Sequence, residues 1–102
     1  MIHHIVLTRY KSDVTEEEKQ GLYAKLDAIV QRLEGAISGS YGRSVSPEGL
    51  ENGFLDGFVI DFASKDAVNE YLVDEEHKVV GAEIASRLEG GTDGLVVFDI
   101  EV

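Results

Sequence analysis

Residues 2–11, IHHIVLTRYK, are the stretch whose reading decides the fold. Side chains alternate across a strand, so His4, Val6, Thr8 and Tyr10 fall on one face and His3, Ile5, Leu7 and Arg9 on the other. A strand wetted on one side alternates apolar with polar residues. Here both faces carry apolar groups and both ask for cover.

Working outward, the segment TEEEKQGLYAKLDAIVQRLEG (15–35) predicts a helix. Thr15 followed three residues later by Glu18 has the spacing of a capping box, in which two free backbone amides are satisfied reciprocally. Leu22, Leu26, Ile29, Val30 and Leu33 form one apolar stripe, and Gly35 is placed to end the helix. The glycine- and serine-rich run that follows predicts a weak strand over roughly 36–45. Ser46, Pro47, Glu48 and Gly49 then make a turn-rich loop.

FLDGFVIDF (54–62) reads as a strand with Phe54, Asp56, Phe58, Ile60 and Phe62 on one face and Leu55, Gly57, Val59 and Asp61 on the other. Gly57 weakens it and points to a close backbone approach. Ser64 can cap a second helical segment, with Ala67, Val68, Tyr71 and Leu72 followed by Val79, Val80, Ile84 and Leu88, and a break near Asp74. GLVVFDIEV (94–102) alternates strictly, setting Val96, Phe98, Ile100 and Val102 against Leu95, Val97, Asp99 and Glu101.

The order strand, helix, strand, strand, helix, strand is the split arrangement of a ferredoxin-like α+β fold, with both helical segments on one sheet face. The second face stays apolar and uncovered. A surface of that kind mediates association, so two copies packed sheet against sheet are expected, with Leu7 and its neighbours at the interface and His3 in it or at its rim.

Composition narrows the partners. With 102 residues, 43% of them hydrophobic, the chain is expected to form one domain, 1–102, with a modest core. Its 20 acidic against 9 basic residues give a net charge of -11, which repels nucleic acid and anionic membrane surfaces, so neither is expected as a partner. Without cysteine there are no disulfides and no thiolate chemistry. The start MIHH lacks the pattern of a secretory signal and no apolar run is long enough to span a bilayer, so a cytoplasmic location is the expectation. GSYG and GGTDG match no phosphate-cradling pattern, and there is no nucleophile elbow and no His-Glu-x-x-His helix. No cofactor and no metal are expected.

Five segments, MIHHIVLTRYK, RSVSPEGLENGF, FVIDFAS, AVNEYLVDEEHKVV and VVFDIEV, fall in the order and spacing of the stress-responsive A/B barrel (Dabb) domain, which the whole chain resembles. The resemblance implies a dimeric α+β barrel of two ferredoxin-like subunits. The family includes stress-associated proteins and a few plant polyketide cyclases. In those enzymes a pocket tyrosine, a helix histidine and a first-strand histidine match Tyr71, His77 and His4 here. The family's His-Pro-x-His turn reads Asp74-Glu75-Glu76-His77, and a further pocket histidine of the cyclases falls near Asp56.

The candidate site is therefore His77 and Tyr71 as catalytic groups, in a small apolar pocket lined by His4, Asp56, Phe54 and Phe58. A neutral histidine can take a proton alpha to a carbonyl, and a tyrosine can donate to the oxyanion that develops. On a straight helix a six-residue separation sets Tyr71 and His77 on well-separated faces, so only the break near Asp74 brings them together. The plain alternative is a histidine solvated beside Glu75 and Glu76. Asp56 and Asp61, with Glu48 and Glu51, match no calcium loop and read as a solvated acidic surface. Tyr23 and Tyr41 read as packing residues. Three functions follow. A small-molecule-binding or stress-associated homodimer without chemistry leads, because the His-Pro turn is lost. A cofactor-independent cyclase or lyase acting on a ketone-bearing substrate is second, and a cofactor-free monooxygenase third.

Overall fold

The computed structural model describes all residues, 1–102. Its elements are β1 (Ile2–Thr8), α1 (Glu16–Arg32), β2 (Ala36–Arg43), β3 (Asp56–Phe62), α2 (Lys65–Val73), α3 (Glu75–Ser86) and β4 (Leu95–Glu101), with a single 3-10 turn over Gly91–Gly94. The strands form one antiparallel sheet in the order β2-β3-β1-β4, the ferredoxin-like topology. β1 and β3 lie at its centre, in register from Ile2 opposite Phe62 to Thr8 opposite Asp56.

The helices cover one face of the sheet. On that face Ile2, His4, Val6 and Thr8 of β1 and Asp56, Phe58, Ile60 and Phe62 of β3 are all buried against them. Leu26 and Ile29 from α1, Tyr71 from α2 and Ile84 from α3 complete this core. The other face has no layer over it. Leu7, Val96, Phe98 and Ile100 stand exposed there, Phe98 at 59%, with Ile5 and Val59 half-buried between them.

Local chemistry explains most boundaries and several departures from expectation. Only half of the predicted capping box forms. The Glu18 amide donates to Thr15 Oγ1 at 3.1 Å, but the Glu18 carboxylate turns to Arg87 Nε, a charged partner that the Thr15 amide cannot match. Gly35 does not end α1. The helix stops at Arg32, with Leu33 already extended, and Gly35 instead sits where any side chain would collide with Ala67 of α2. β2 ends at Arg43, two residues short of expectation, and its pairing with β3 slips between Ala36 and Ser38. β1 ends at Thr8, while Tyr10 stays buried on the same side through an isolated bridge to Leu88. Gly57 meets its expectation, since a Cβ there would press on the Val6 carbonyl 2.7 Å away.

The second helical segment does break at Asp74. Its backbone (φ -65°, ψ 131°) is extended, which ends α2, and its carboxylate accepts the His77 amide at 3.0 Å, which starts α3. Arg32 of α1 donates to both Asp74 oxygens at 2.8 and 2.9 Å and ties the junction down.

Candidate functional site

The bend at Asp74 swings α3 back over the end of α2. The rings of Tyr71 and His77 meet with centroids 4.0 Å apart and planes tilted by 40°. From beneath, β1 presents His4, whose ring stands edge-on to Tyr71 at 5.8 Å and to Phe62 at 5.9 Å. His4, Tyr71 and His77 line one cavity of about 200 Å³ between sheet and helices. The remaining walls are almost wholly apolar: Val6, Phe58, Leu95 and Val97 from the sheet, Leu26 from α1, and Leu72, Ile84 and Leu88 from the helical side. Gly81 and Ala85 keep the α3 wall low.

His4 is 4% exposed, and its Nδ1–H donates to Asp99 Oδ1 at 2.6 Å. Asp99 lies directly opposite His4 in the β1–β4 register and stands nearly half-exposed at the sheet edge. The pair fixes the orientation of the His4 ring beside the cavity. His77 is differently placed. Burial holds it below the ordinary histidine value and His4 across the cavity adds to this, against the opposing pull of the Leu72 backbone and the Asp74 carboxylate. It is therefore neutral at pH 7, and its Nδ1 is buried without a hydrogen-bond partner. Burial, with Asp74 second, pushes the Tyr71 hydroxyl up, so it remains a proton donor rather than a base. A neutral imidazole and a protonated phenol beside one apolar cavity are suited to moving a proton on a bound carbonyl compound.

The predicted site residues are thus only partly gathered. His4, Tyr71, His77 and Phe58 share the cavity. Asp56 and Phe54 do not. Asp56 is on the helix-covered face as alternation requires, but at the far end of β3, where Lys19 of α1 donates to it at 3.2 Å. It is buried in that ion pair rather than part of a solvated surface. Asp61, on the open face, is likewise engaged, by His3 and Ser38. Phe54 precedes β3, so the strand's alternation does not reach it. Its ring lies under the Arg9 guanidinium at 5.0 Å, beside a groove on the open face. Nor is His77 solvated beside its glutamates: Glu76 turns away to Arg32 at 3.3 Å. The residue that sequence reasoning missed is Asp99. Its only signal was an acidic side chain on the same face of β4 as Leu95 and Val97; that it meets His4 follows from the β1–β4 register.

The sequence model of the Stress Responsive A/B Barrel Domain family, Dabb, matches residues 2–102. This chain belongs to the Dabb family. The Dabb chain is 30% identical over 98 residues to the stress-response A/B barrel domain-containing protein HS1 of Arabidopsis thaliana, covering 96% of this chain and 86% of that one. Among solved structures it is similar to a dimeric ferredoxin-like protein of unknown function from Jannaschia sp. CCS1, with a TM-score of 0.93 and 25% identity over 99% of this chain and 98% of that one. It also shares its fold with the hydroxynitrile lyase of Passiflora edulis, at a TM-score of 0.85 and 18% identity, covering 99% and 92% of the two chains. No helix of this Dabb domain is long and apolar enough to cross a membrane.

Proposed function

We propose that this Dabb protein works as a homodimer in which each subunit binds a small, largely apolar molecule bearing a carbonyl group, and that His77 and Tyr71 perform cofactor-independent proton transfer on it. The observation that carries the reading is the convergence of the Tyr71 and His77 rings, 4.0 Å apart, on a cavity shared with His4. At about 200 Å³ the cavity is smaller than the roughly 300–1,000 Å³ of drug-sized sites, so the ligand is a compact one. Its apolar body would fill the space between Val6, Leu26, Ile84 and Leu88, with the carbonyl at the histidine end. His77 would take the proton alpha to the carbonyl and the Tyr71 hydroxyl would donate to the enolate oxygen, the half-reaction common to lyases and cyclases that need no cofactor.

Dimerisation is supported by the exposed Leu7, Val96, Phe98 and Ile100 on the uncovered sheet face, and by the dimeric state of the similar Jannaschia protein. The proton-transfer reading is tested by incubating the protein in heavy water with a medium-chain aliphatic methyl ketone and following loss of the alpha-proton signals by NMR. Exchange by the wild-type protein that falls at least tenfold in H77N and in Y71F is the expected result. Saturable ketone binding with no exchange above buffer would reduce the function to binding alone, and exchange unaffected by H77N would overturn the assignment of the base.

A further inference from the structure

A second cavity, of about 250 Å³, lies at the far end of the sheet from His77, between the start of α1, the end of β2 and the loop before β3. Lys11, Lys19, Arg43, Tyr10, Gly53 and Asp56 are among its walls. The concentration of cations is out of keeping with the chain, which holds 20 acidic residues and 9 basic ones. Lys19, Lys25, Arg32, Lys65, Lys78 and Arg87 each have a carboxylate within 4 Å. Of the remaining three, Arg9 lies over Phe54 and donates to the Asp93 carbonyl. The other two, Lys11 and Arg43, both line this cavity. Lys11 donates only to the Ser86 carbonyl, and the Arg43 guanidinium has no partner within the chain.

Lys19 gives the site a buried component. It is 8% exposed, lies over the Tyr10 ring at 5.1 Å, and makes a single side-chain hydrogen bond, to Asp56. An ammonium carries three donors, so Lys19 retains capacity beyond that bond. Asp56 offsets one of the three positive charges and leaves an excess of two.

We infer that this cavity is a binding site for a small oxyanion, a carboxylate or a phosphate, gripped by the Arg43 guanidinium with Lys11 and Lys19 beside it. A guanidinium presents paired N–H donors to two oxygens of one anion, and the ammonium groups add point charge from the other walls. The net charge of -11 would turn anions away from the rest of the surface, so uptake would be confined to this spot. The site is separate from the His77 cavity and stands or falls independently of it.

The test is a titration of the full-length protein with inorganic phosphate and, separately, succinate, at ionic strength held constant with potassium chloride, read from backbone amide shifts. Saturating shifts centred on Lys11, Arg43, Gly53 and Asp56, weakened about tenfold or more in R43Q as expected for one charged hydrogen-bonding group, support the site. Preference for phosphate or for succinate then says which oxyanion it takes. Shifts that rise linearly, that chloride reproduces, or that persist unchanged in R43Q overturn it. So does an R43Q variant whose only change, by sedimentation, is a weaker dimer, since Arg43 would then serve a partner's carboxylate. Arg43 and Lys11 are exposed, so both R43Q and K11Q should fold, and two variants that bind phosphate normally would end the proposal.

Discussion

The Asp74 carboxylate is the group on which the geometry of the candidate site turns, and replacing it gives the sharpest test. It caps α3 through the His77 amide and receives both bonds from Arg32, so D74A removes a cap and an inter-helix tie together. Loss of an N-cap carboxylate costs typically about 1 kcal/mol, within a range of roughly 0.5–2. For a domain of this size about 1 kcal/mol lowers the melting temperature by roughly 4–8 °C. D74N keeps a capping oxygen and removes the charge, so it should melt between wild type and D74A. Although burial works against its ionisation, Arg32 and the His77 and Glu76 amides outweigh that and hold Asp74 below the ordinary carboxylate value. A depressed folded value means that the stabilisation is complete above the unfolded value, near pH 4, and is lost as pH falls through the folded one. The gap between wild type and D74N should therefore be full at pH 6 and close in strong acid. Calorimetry across pH measures it. NMR contacts between the Tyr71 and His77 rings supply the structural readout, and they should weaken in D74A as the first turn of α3 frays. A D74A protein that melts with wild type and keeps those ring contacts would refute the argument that the cap holds the site together.

Other expectations follow from the same structure. Leu7 is 40% exposed in the single chain, so L7D should cost a monomer less than it costs a dimer that buries the rest of the side chain; loss of the dimer on size-exclusion chromatography is expected, and an L7D dimer of normal stability would show that the open sheet face is not the interface. G35V drives a side chain into Ala67 and should destabilise by about 1–3 kcal/mol in denaturant melts, with much of the loss recovered in the double variant G35V/A67G; equal losses in both would exclude the contact as the cause. His77 is held below the ordinary histidine value by burial, so its contribution to stability is full above about pH 6.5 and declines as pH falls towards the folded value. H77N should flatten that part of the stability profile, and an identical decline in H77N would assign it to another group.

Much of the architecture is legible in the sequence, and the reason is periodicity. Alternation in IHHIVLT, DGFVIDF and LVVFDIE placed nearly every buried strand residue on its proper face, because successive strand side chains have no choice but to alternate. The same reading exposed the second apolar face. It also placed a break near Asp74, although the capping role of that carboxylate came only with the structure. Periodicity failed where a residue's role depends on what lies across space. Gly35 looked like a helix stop and is a point of helix contact. Phe54 looked like the next residue in an alternating series and lies outside the strand.

The sequence by itself determined the order of elements, the helix-covered face, the apolar character of the other face and the residue types able to do chemistry. Only the tertiary structure decided which of them meet. Asp56 and His4 share a sheet face, yet one is drawn to Lys19 and the other to Asp99, because partner choice is set by the register of strands and the position of α1 over the sheet. Tyr71 and His77 are six positions apart, and their contact exists only because Asp74 redirects the chain between them. Hydrophobic burial is non-directional and can be read from a pattern, whereas hydrogen bonds, ion pairs and ring contacts require distances that no one-dimensional pattern contains.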